Sequence, residues 1–194
     1  VLRETIRKRD ALRNLETEEV QEIENLTFIE GMAQFTAPKT LEITNSAGET
    51  QQITAENIVI STGARPRRLD IPGLPAERSM TNIELFDLEN APKHIAIIGA
   101  GVIALEMAFA LQKIGTKVTM LALDKRALIT SISEAAEAIQ ASLDHKGIAT
   151  YYGATAKSYD EATQTLTLTQ GDAEIAVNDV DKVLVAIGRI RNIN

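Results

Sequence analysis

The residues best placed to do chemistry are Gly99, Gly101 and Ala104, in the run His94-Ile95-Ala96-Ile97-Ile98-Gly99-Ala100-Gly101-Val102-Ile103-Ala104. A short apolar strand enters a Gly-x-Gly-x-x-Ala turn and a helix leaves it. This arrangement suits the pyrophosphate of a dinucleotide. Gly99 lets the chain turn sharply out of the strand. Gly101 carries no side chain, so a pyrophosphate can approach the backbone. Ala104 is small enough for the helix to pack on the strand. The anion then sits at the positive end of the helix.

A glycine-rich turn recurs by chance, so the elements around it must carry the reading. Residues 94–98 read as a buried strand. Residues 103–114 are apolar nearly all round, as expected of a helix covered on both sides. Gly115 supplies a stop, and residues 117–123 read as a second buried strand. Together they form a βαβ unit of about thirty residues.

The C-terminal remainder extends this unit. Ser131 and Glu134 stand at capping-box spacing before a helix that runs through Lys146, buries Ile139 and Leu143, and ends at Gly147. Residues 148–152 form a third strand. Residues 154–159, 164–169 and 173–177 read as a β-meander with a turn at Gln170-Gly171-Asp172. Residues 182–187 are a last buried strand, ending in Gly188-Arg189.

The N-terminal part differs. Residues 2–24 are charged helix formers, and the basic cluster Arg3, Arg7, Lys8, Arg9, Arg13 reads as a solvated face because five glutamates follow at once. Residues 26–30 read as a strand broken by Gly31. Residues 40–44 and 49–54 alternate around Asn45-Ser46-Ala47-Gly48, the pattern of a hairpin. Residues 57–61 read as a buried strand. Residues 62–92 hold Pro66, Pro72, Pro75 and Pro92, all but one of the five prolines, with room for a short helix near 82–88. This is the expected domain boundary.

Composition narrows the function classes. The 194 residues are 44% hydrophobic, enough for a packed core. A net charge of −7 argues against broad binding to nucleic acid. No apolar run approaches membrane-spanning length, and no signal peptide opens the chain. There are no cysteines, hence no disulfide, thiolate metal site or thiol nucleophile. That fits a reducing, cytoplasmic compartment. His94 and His145 are the two histidines, and both read as structural or surface groups.

A second signature accompanies the turn. Ile58-Val59-Ile60 runs into Ser61-Thr62-Gly63-Ala64-Arg65-Pro66, Asp70-Ile71-Pro72-Gly73 follows, and Val185-Ala186-Ile187-Gly188-Arg189 closes the chain. In this order and spacing the whole chain resembles the class I flavoprotein pyridine nucleotide-disulfide oxidoreductases, the dihydrolipoamide dehydrogenase, glutathione reductase and mercuric reductase group. The resemblance implies an α/β fold: a Rossmann-like dinucleotide-binding domain, parallel sheet plus β-meander, with a partial FAD-domain segment. It implies residues 1–70 as part of the FAD-binding domain, 71–92 as a linker, 93–189 as the NAD(P)H-binding domain and 190–194 as the return to the FAD domain.

The resemblance also implies site residues. Met32 and Ala33 match the segment at the adenine end of FAD, and Ser61, Thr62 and Gly63 match a second flavin-contact motif. Gly99, Gly101 and Ala104 would hold the NAD(P)H pyrophosphate. Ile103 and Glu106 match positions on the nicotinamide side, and Val102 stands where some members carry an aromatic gate. Glu106, on an otherwise apolar helix, reads as a buried carboxylate whose family partner is a lysine outside this chain. Ile187 and Gly188 line the nucleotide pocket. Arg189 either binds there or caps surface carbonyls.

Three departures matter. The acid that NAD-preferring members place at the end of the second strand is Ala122 here, and the arginine of NADP-preferring members is Leu123. Asp124 could serve the ribose, and Lys125 and Arg126 could meet a 2′-phosphate. With no carboxylate to repel that phosphate, the position leans to NADP. The expected Gly-Arg-x-Pro-Asn ending reads Gly188-Arg189-Ile190-Arg191-Asn192, and the missing proline should loosen this loop. Finally, the first flavin turn, the redox cysteine pair and the C-terminal dimerisation domain are absent, so the chain reads as the central fragment of such an enzyme. It is expected to hold no catalytic residue and no metal, and to be inactive alone. The whole protein would pass hydride from NAD(P)H to FAD and on to a small-molecule or protein disulfide, as a homodimer. An NADH oxidase or peroxidase-type flavoprotein and a non-catalytic dinucleotide-binding module are the alternatives.

Overall fold

The structure, a computed structural model, describes residues 1–193. Two compact units divide it: Lys8–Gly63, and a larger one made of Val1–Arg7 with the chain from Ala64 onward.

The helix α1 (Leu2–Gln21) has no buried residue. The smaller unit continues with a three-stranded antiparallel sheet, β1 (Met32–Ala37), β2 (Thr40–Thr44) and β3 (Thr50–Thr54). The β2–β3 hairpin forms where the sequence places it. Asn45 Oδ1 accepts from the backbone N–H of Ala47 at 3.0 Å and of Glu49 at 2.9 Å, and Gly48 takes φ +83°.

Two expected strands are absent. Residues 26–30 are irregular, and pairing begins beyond Gly31 at Met32. Gly31 does not end a strand; it admits one, because a Cβ there would lie 2.6 Å from Ile43 Cγ2. Residues 57–61 are likewise unpaired, with Val59 89% exposed. A strand exists only through its neighbours, and no described residues supply one here.

The larger unit is built on a parallel five-stranded sheet in the order β5 (Ser79–Met80), β12 (Lys182–Val185), β6 (His94–Ile98), β7 (Lys117–Ala122), β8 (Ala149–Tyr152). Before it, β4 (Ala64–Pro66) is followed by β5 (Ser79–Met80) and the one-turn helix α2 (Asn82–Leu85). Residues 71–92 are therefore more than a connection: they supply an edge strand paired with Val183 and Leu184. Next come β6 (His94–Ile98), α3 (Val102–Lys113), β7 (Lys117–Ala122), α4 (Ser133–His145) and β8 (Ala149–Tyr152). The meander β9 (Ala154–Asp160), β10 (Thr165–Gln170) and β11 (Ala173–Val177) leads to β12 (Lys182–Val185) and β13 (Arg189–Arg191). The mixed α/β architecture is the Rossmann-like fold expected.

β6 shows how the sheet is sandwiched. Ile95 and Ile97 pack with Leu105, Leu111 and Leu143 of the helices. Ala96 and Ile98 point the other way, into Leu166, Leu168 and Val183 on the meander side. All five residues of β6 are buried, hence its unbroken apolar run. Burying each such isoleucine contributes about 1.5–3 kcal/mol.

Two further expectations are corrected. The helix α4 starts later than Ser131: its N-cap is Ile132, with no side-chain cap. Ser131 is engaged otherwise, its N–H on Leu128 O at 2.8 Å and its carbonyl on Arg126 Nη2 at 2.8 Å. The true capping box is at α2, where Ile83 N–H donates to Thr81 Oγ1 and Thr81 N–H to Glu84 Oε2. Nor is the end of the chain loosened by the missing proline. Arg189–Arg191 pairs antiparallel with Ala64–Pro66 as a two-stranded ribbon.

His94 is 2% exposed at the start of β6. Its Nδ1 lies 3.0 Å from Asn178 O and its Nε2 2.9 Å from Thr119 Oγ1. A carbonyl only accepts, so Nδ1 carries the proton and Nε2 accepts from the threonine. Burial, then the nearby Lys117 charge, hold its pKa below the ordinary 6.5. At Glu84 burial acts to raise the pKa, but hydrogen bonds from Thr81, from the Glu84 backbone and from Arg68 outweigh it and bring it to about 2.

Both shifts predict acid destabilisation. The unfolded chain binds protons that the folded one refuses, so stability falls as pH drops. The His94 contribution is whole above pH 6.5 and declines below it. The Glu84 contribution is whole above pH 4.5 and is lost towards about 2. Urea unfolding from pH 2 to 8 should show both steps, with His94→Gln flattening the first and Glu84→Ala the second. Thr81→Ala should cost about 1 kcal/mol at neutral pH.

Candidate functional site

The site lies at the carboxyl edge of the parallel sheet, where the strand order reverses. From β6 the chain steps to β7 and β8 on one side, while β12 pairs on the other. In open α/β sheets ligands bind in the crevice at such a switch point. The turn after β6 and the segment after β12 both open there.

The two glycines of the turn have different jobs. Gly99 takes φ +122°, and a Cβ on it would lie 2.3 Å from Ala186 O. Its N–H donates to Leu121 O at 2.8 Å, while Ala186 N–H donates to Ile98 O at 2.8 Å. Gly99 is thus wedged between the ends of β7 and β12, and its bare backbone is demanded by the fold. Gly101 is the N-cap of α3 at φ −82°, a conformation open to any residue, and beyond its chain neighbours no atom lies within 4 Å of where its Cβ would be. Nothing in the fold requires a glycine there.

No side chain caps α3. Its N-terminal turn, the bare Gly101 and the positive end of the helix dipole form a cradle suited to a phosphate. Ala104 is fully buried beneath the turn, as its size suggests. Ala100 O accepts from Leu128 N–H at 3.0 Å, bracing the turn from the β7–α4 loop.

Of the other residues singled out in the sequence, Val102 is 60% exposed, Ile103 half-buried and Glu106 exposed. The expectation of a buried Glu106 is corrected. The helix is covered on the side of Ala104, Leu105, Ala108 and Leu111 only, and Val102, Glu106 and Ala110 form an open stripe one turn apart. Glu106 therefore bears no burial penalty in this chain.

At the end of β7, Ala122 is buried while Leu123 is 76% exposed, followed by exposed Asp124 and Lys125. Arg126 is already committed. Its Nη2 donates to Ser131 O at 2.8 Å and to Ile129 O at 3.4 Å. That leaves Lys125 as the cation at this strand end able to meet a phosphate. Across the crevice Ile187, Gly188 and Arg189 are exposed, and Arg189 Nη2 donates to the carbonyl of Ala64. Arg189 thus does cap a carbonyl.

The candidate flavin-contact residues Met32, Ala33, Ser61, Thr62 and Gly63 all fall in the smaller unit. Met32 and Ala33 are exposed on β1 opposite Thr44 and Ile43. Ser61, Thr62 and Gly63 are exposed and lie outside any strand, and Gly63 takes φ +68° with open space around it. Small residues with accessible backbone suit a flavin nucleotide. Among the described residues no cluster could hold a metal ion, and no helix is long and apolar enough to cross a membrane.

Sequence reasoning missed Ala186, whose carbonyl makes Gly99 indispensable. Only the pairing of β12 with β6 brings positions so distant in the chain together, and no local pattern marks it.

Parallel sheet, switch-point crevice and bare-glycine helix start together define a fold of the Rossmann type. The family model for pyridine nucleotide-disulphide oxidoreductases matches residues 1–194, and the chain belongs to that family of FAD- and NAD(P)-dependent oxidoreductases. It is 31% identical over 166 residues to a mercuric reductase of Staphylococcus aureus, covering 85% of this chain and 29% of the relative. It is 33% identical over 166 residues to a dihydrolipoyl dehydrogenase of Bacillus subtilis (strain 168), covering 80% of this chain and 34% of the relative. Among solved structures, the HOCl-induced flavoprotein disulfide reductase RclA from Escherichia coli superposes with a TM-score of 0.80 at 27% identity, over 97% of this chain and 42% of that one. The chain thus spans about a third of the length of the curated relatives it matches.

The two glycines should separate on substitution. Gly99→Ala should destabilise by about 3 kcal/mol, through a positive φ and a clash with backbone. Gly101→Ala should cost less than about 1 kcal/mol, since only a mild capping change is involved. Thermal unfolding of both variants checks this, and equal losses would contradict the division of roles.

Proposed function

We propose that this chain is the NAD(P)H-binding portion, joined to part of the flavin-binding portion, of an FAD-dependent pyridine nucleotide-disulfide oxidoreductase. In the whole protein hydride passes from NAD(P)H to FAD, and electrons then reach a disulfide or related acceptor. One observation carries the reading: Gly101 leaves the start of α3 open and uncapped, at the switch point of the sheet, where the backbone has no need of glycine.

The geometry supports the following roles. Gly101 and the first turn of α3 bind the pyrophosphate, with Gly99 and Ala104 shaping the turn. Ile187 and Gly188 line the crevice across from it. Val102, Ile103 and Glu106 face the nicotinamide end, and the open stripe on α3 is where segments outside this chain complete the junction with the flavin. Met32, Ala33, Ser61, Thr62 and Gly63 meet FAD through exposed backbone. The protein's part in the hydride step is binding and orientation, and the flavin supplies the redox chemistry when bound. In this reading the intact protein is a cytoplasmic homodimer, and the chain alone turns nothing over.

The ribose end favours NADPH. Neither Ala122 nor Leu123 offers a carboxylate to ribose hydroxyls, and Lys125 is exposed beside them. Asp124 is exposed too, but its neighbour's charge offsets its repulsion of a 2′-phosphate.

Two measurements test the proposal. The intact protein should show a bound-flavin absorption spectrum, and a colourless, flavin-free protein would overturn the redox assignment. Titrating the chain should show saturable binding of NADPH, several-fold tighter than NADH, with Gly101→Glu abolishing both and Lys125→Ala removing the preference. Equal binding of either nucleotide by wild type and Gly101→Glu would refute the site.

A further inference from the structure

The ribbon beside the crevice carries an unexpected charge. Arg65, Arg67 and Arg68 stand on or just beyond β4, and Arg189 and Arg191 on β13, all exposed, with no acid in residues 64–68 or 188–192. This is a concentrated positive surface on a chain of net charge −7. A fold gains nothing from placing like charges together, so some other role must offset their repulsion. Arg68 is paired with Glu84. Arg65 Nη1 reaches Asn192 Oδ1 at 3.3 Å, and Arg189 caps Ala64. Arg67 and Arg191 form no ion pair among the described residues.

The ribbon's position gives the charge a purpose. Arg67 N–H donates to Gly188 O at 3.0 Å. Gly188 follows directly on the Ala186–Ile187 segment, which packs against Gly99. The cationic surface is therefore continuous with the rim of the dinucleotide crevice. Strand alternation puts Arg189 and Arg191 on one face of the ribbon and Arg65 on the other. The positive field thus surrounds the ribbon, the pattern of long-range attraction and not of one fitted contact.

We propose that the β4–β13 ribbon is an electrostatic entrance that draws the anionic nicotinamide dinucleotide into the crevice against the repulsion of a net-negative protein. The inference rests on the NAD(P)H reading above. A cationic rim raises the encounter rate of an anion, and the effect fades with ionic strength. A pyrophosphate carries about two negative charges and a 2′-phosphate adds up to about two more, so NADPH gains more than NADH.

The test is stopped-flow binding of NADPH and NADH to the flavin-loaded intact protein, carrying Arg67→Gln together with Arg191→Gln. At low salt the association rate should fall about three- to tenfold for NADPH and less for NADH, the dissociation rate should be unchanged, and the difference should close at high salt. The control is Lys113→Gln with Lys146→Gln, which removes the same charge from the ends of α3 and α4 and should leave association near wild type. An unchanged association rate in the arginine variant, an equal fall in the control, or a change in dissociation alone would overturn the entrance. In those cases nucleotide still binds and the site survives. Absence of saturable binding in wild type would overturn both.

Discussion

The close approach of Gly99 to the carbonyl of Ala186 is the constraint on which the rest of the larger unit depends. Two hydrogen bonds hold it, Gly99 N–H to Leu121 O and Ala186 N–H to Ile98 O, each 2.8 Å. They pull three strand ends to one point. A side chain at position 99 would push them apart, because the Cβ would fall at 2.3 Å from a backbone oxygen. The crevice is the space left just beyond this junction, so the packing at Gly99 sets its shape.

This separates two kinds of glycine that look alike in a motif. Position 99 is fixed by packing and dihedral angle, position 101 by the absence of anything near it. The first is explained by the packing of the protein itself, and the second leaves an open position at the start of α3. The same logic applies to charge. Arg126 is explained by the carbonyls of its own loop, and Arg68 by Glu84 at the capping box. Arg67 and Arg191 have no such account within the described chain, and their function is therefore sought outside it.

The N-terminal segment shows that apolar composition alone does not bury a residue. Val59 and Ile60 have the composition of a buried strand yet lie exposed. Leu12, Leu15 and Phe28 are exposed as well. Hydrophobic patterning expresses a demand for burial, and pairing partners decide whether it is met. The chain spans only part of its relatives' length.

The sequence by itself determined what depends on neighbours in the chain. These are the βαβ unit, the hairpin with its Asn45 turn, the meander, the family, and the opening at Gly101. All but the family rest on periodicity or turn chemistry within a few residues; the family resemblance rests on the order and spacing of motifs along the whole chain. It misread Ser131 as a cap, because the competing partners Leu128 and Arg126 become visible only once that loop is folded. It misread Glu106 as buried, because an apolar helix sequence does not say which side will be covered. Tertiary structure alone decided that residues 71–92 contribute a strand, that the chain's end forms a ribbon with Ala64–Pro66, and that Ala186 closes on Gly99. All three are pairings between distant segments. A backbone hydrogen bond needs no particular side chain, so the sequence leaves it unmarked until the fold brings donor and acceptor together.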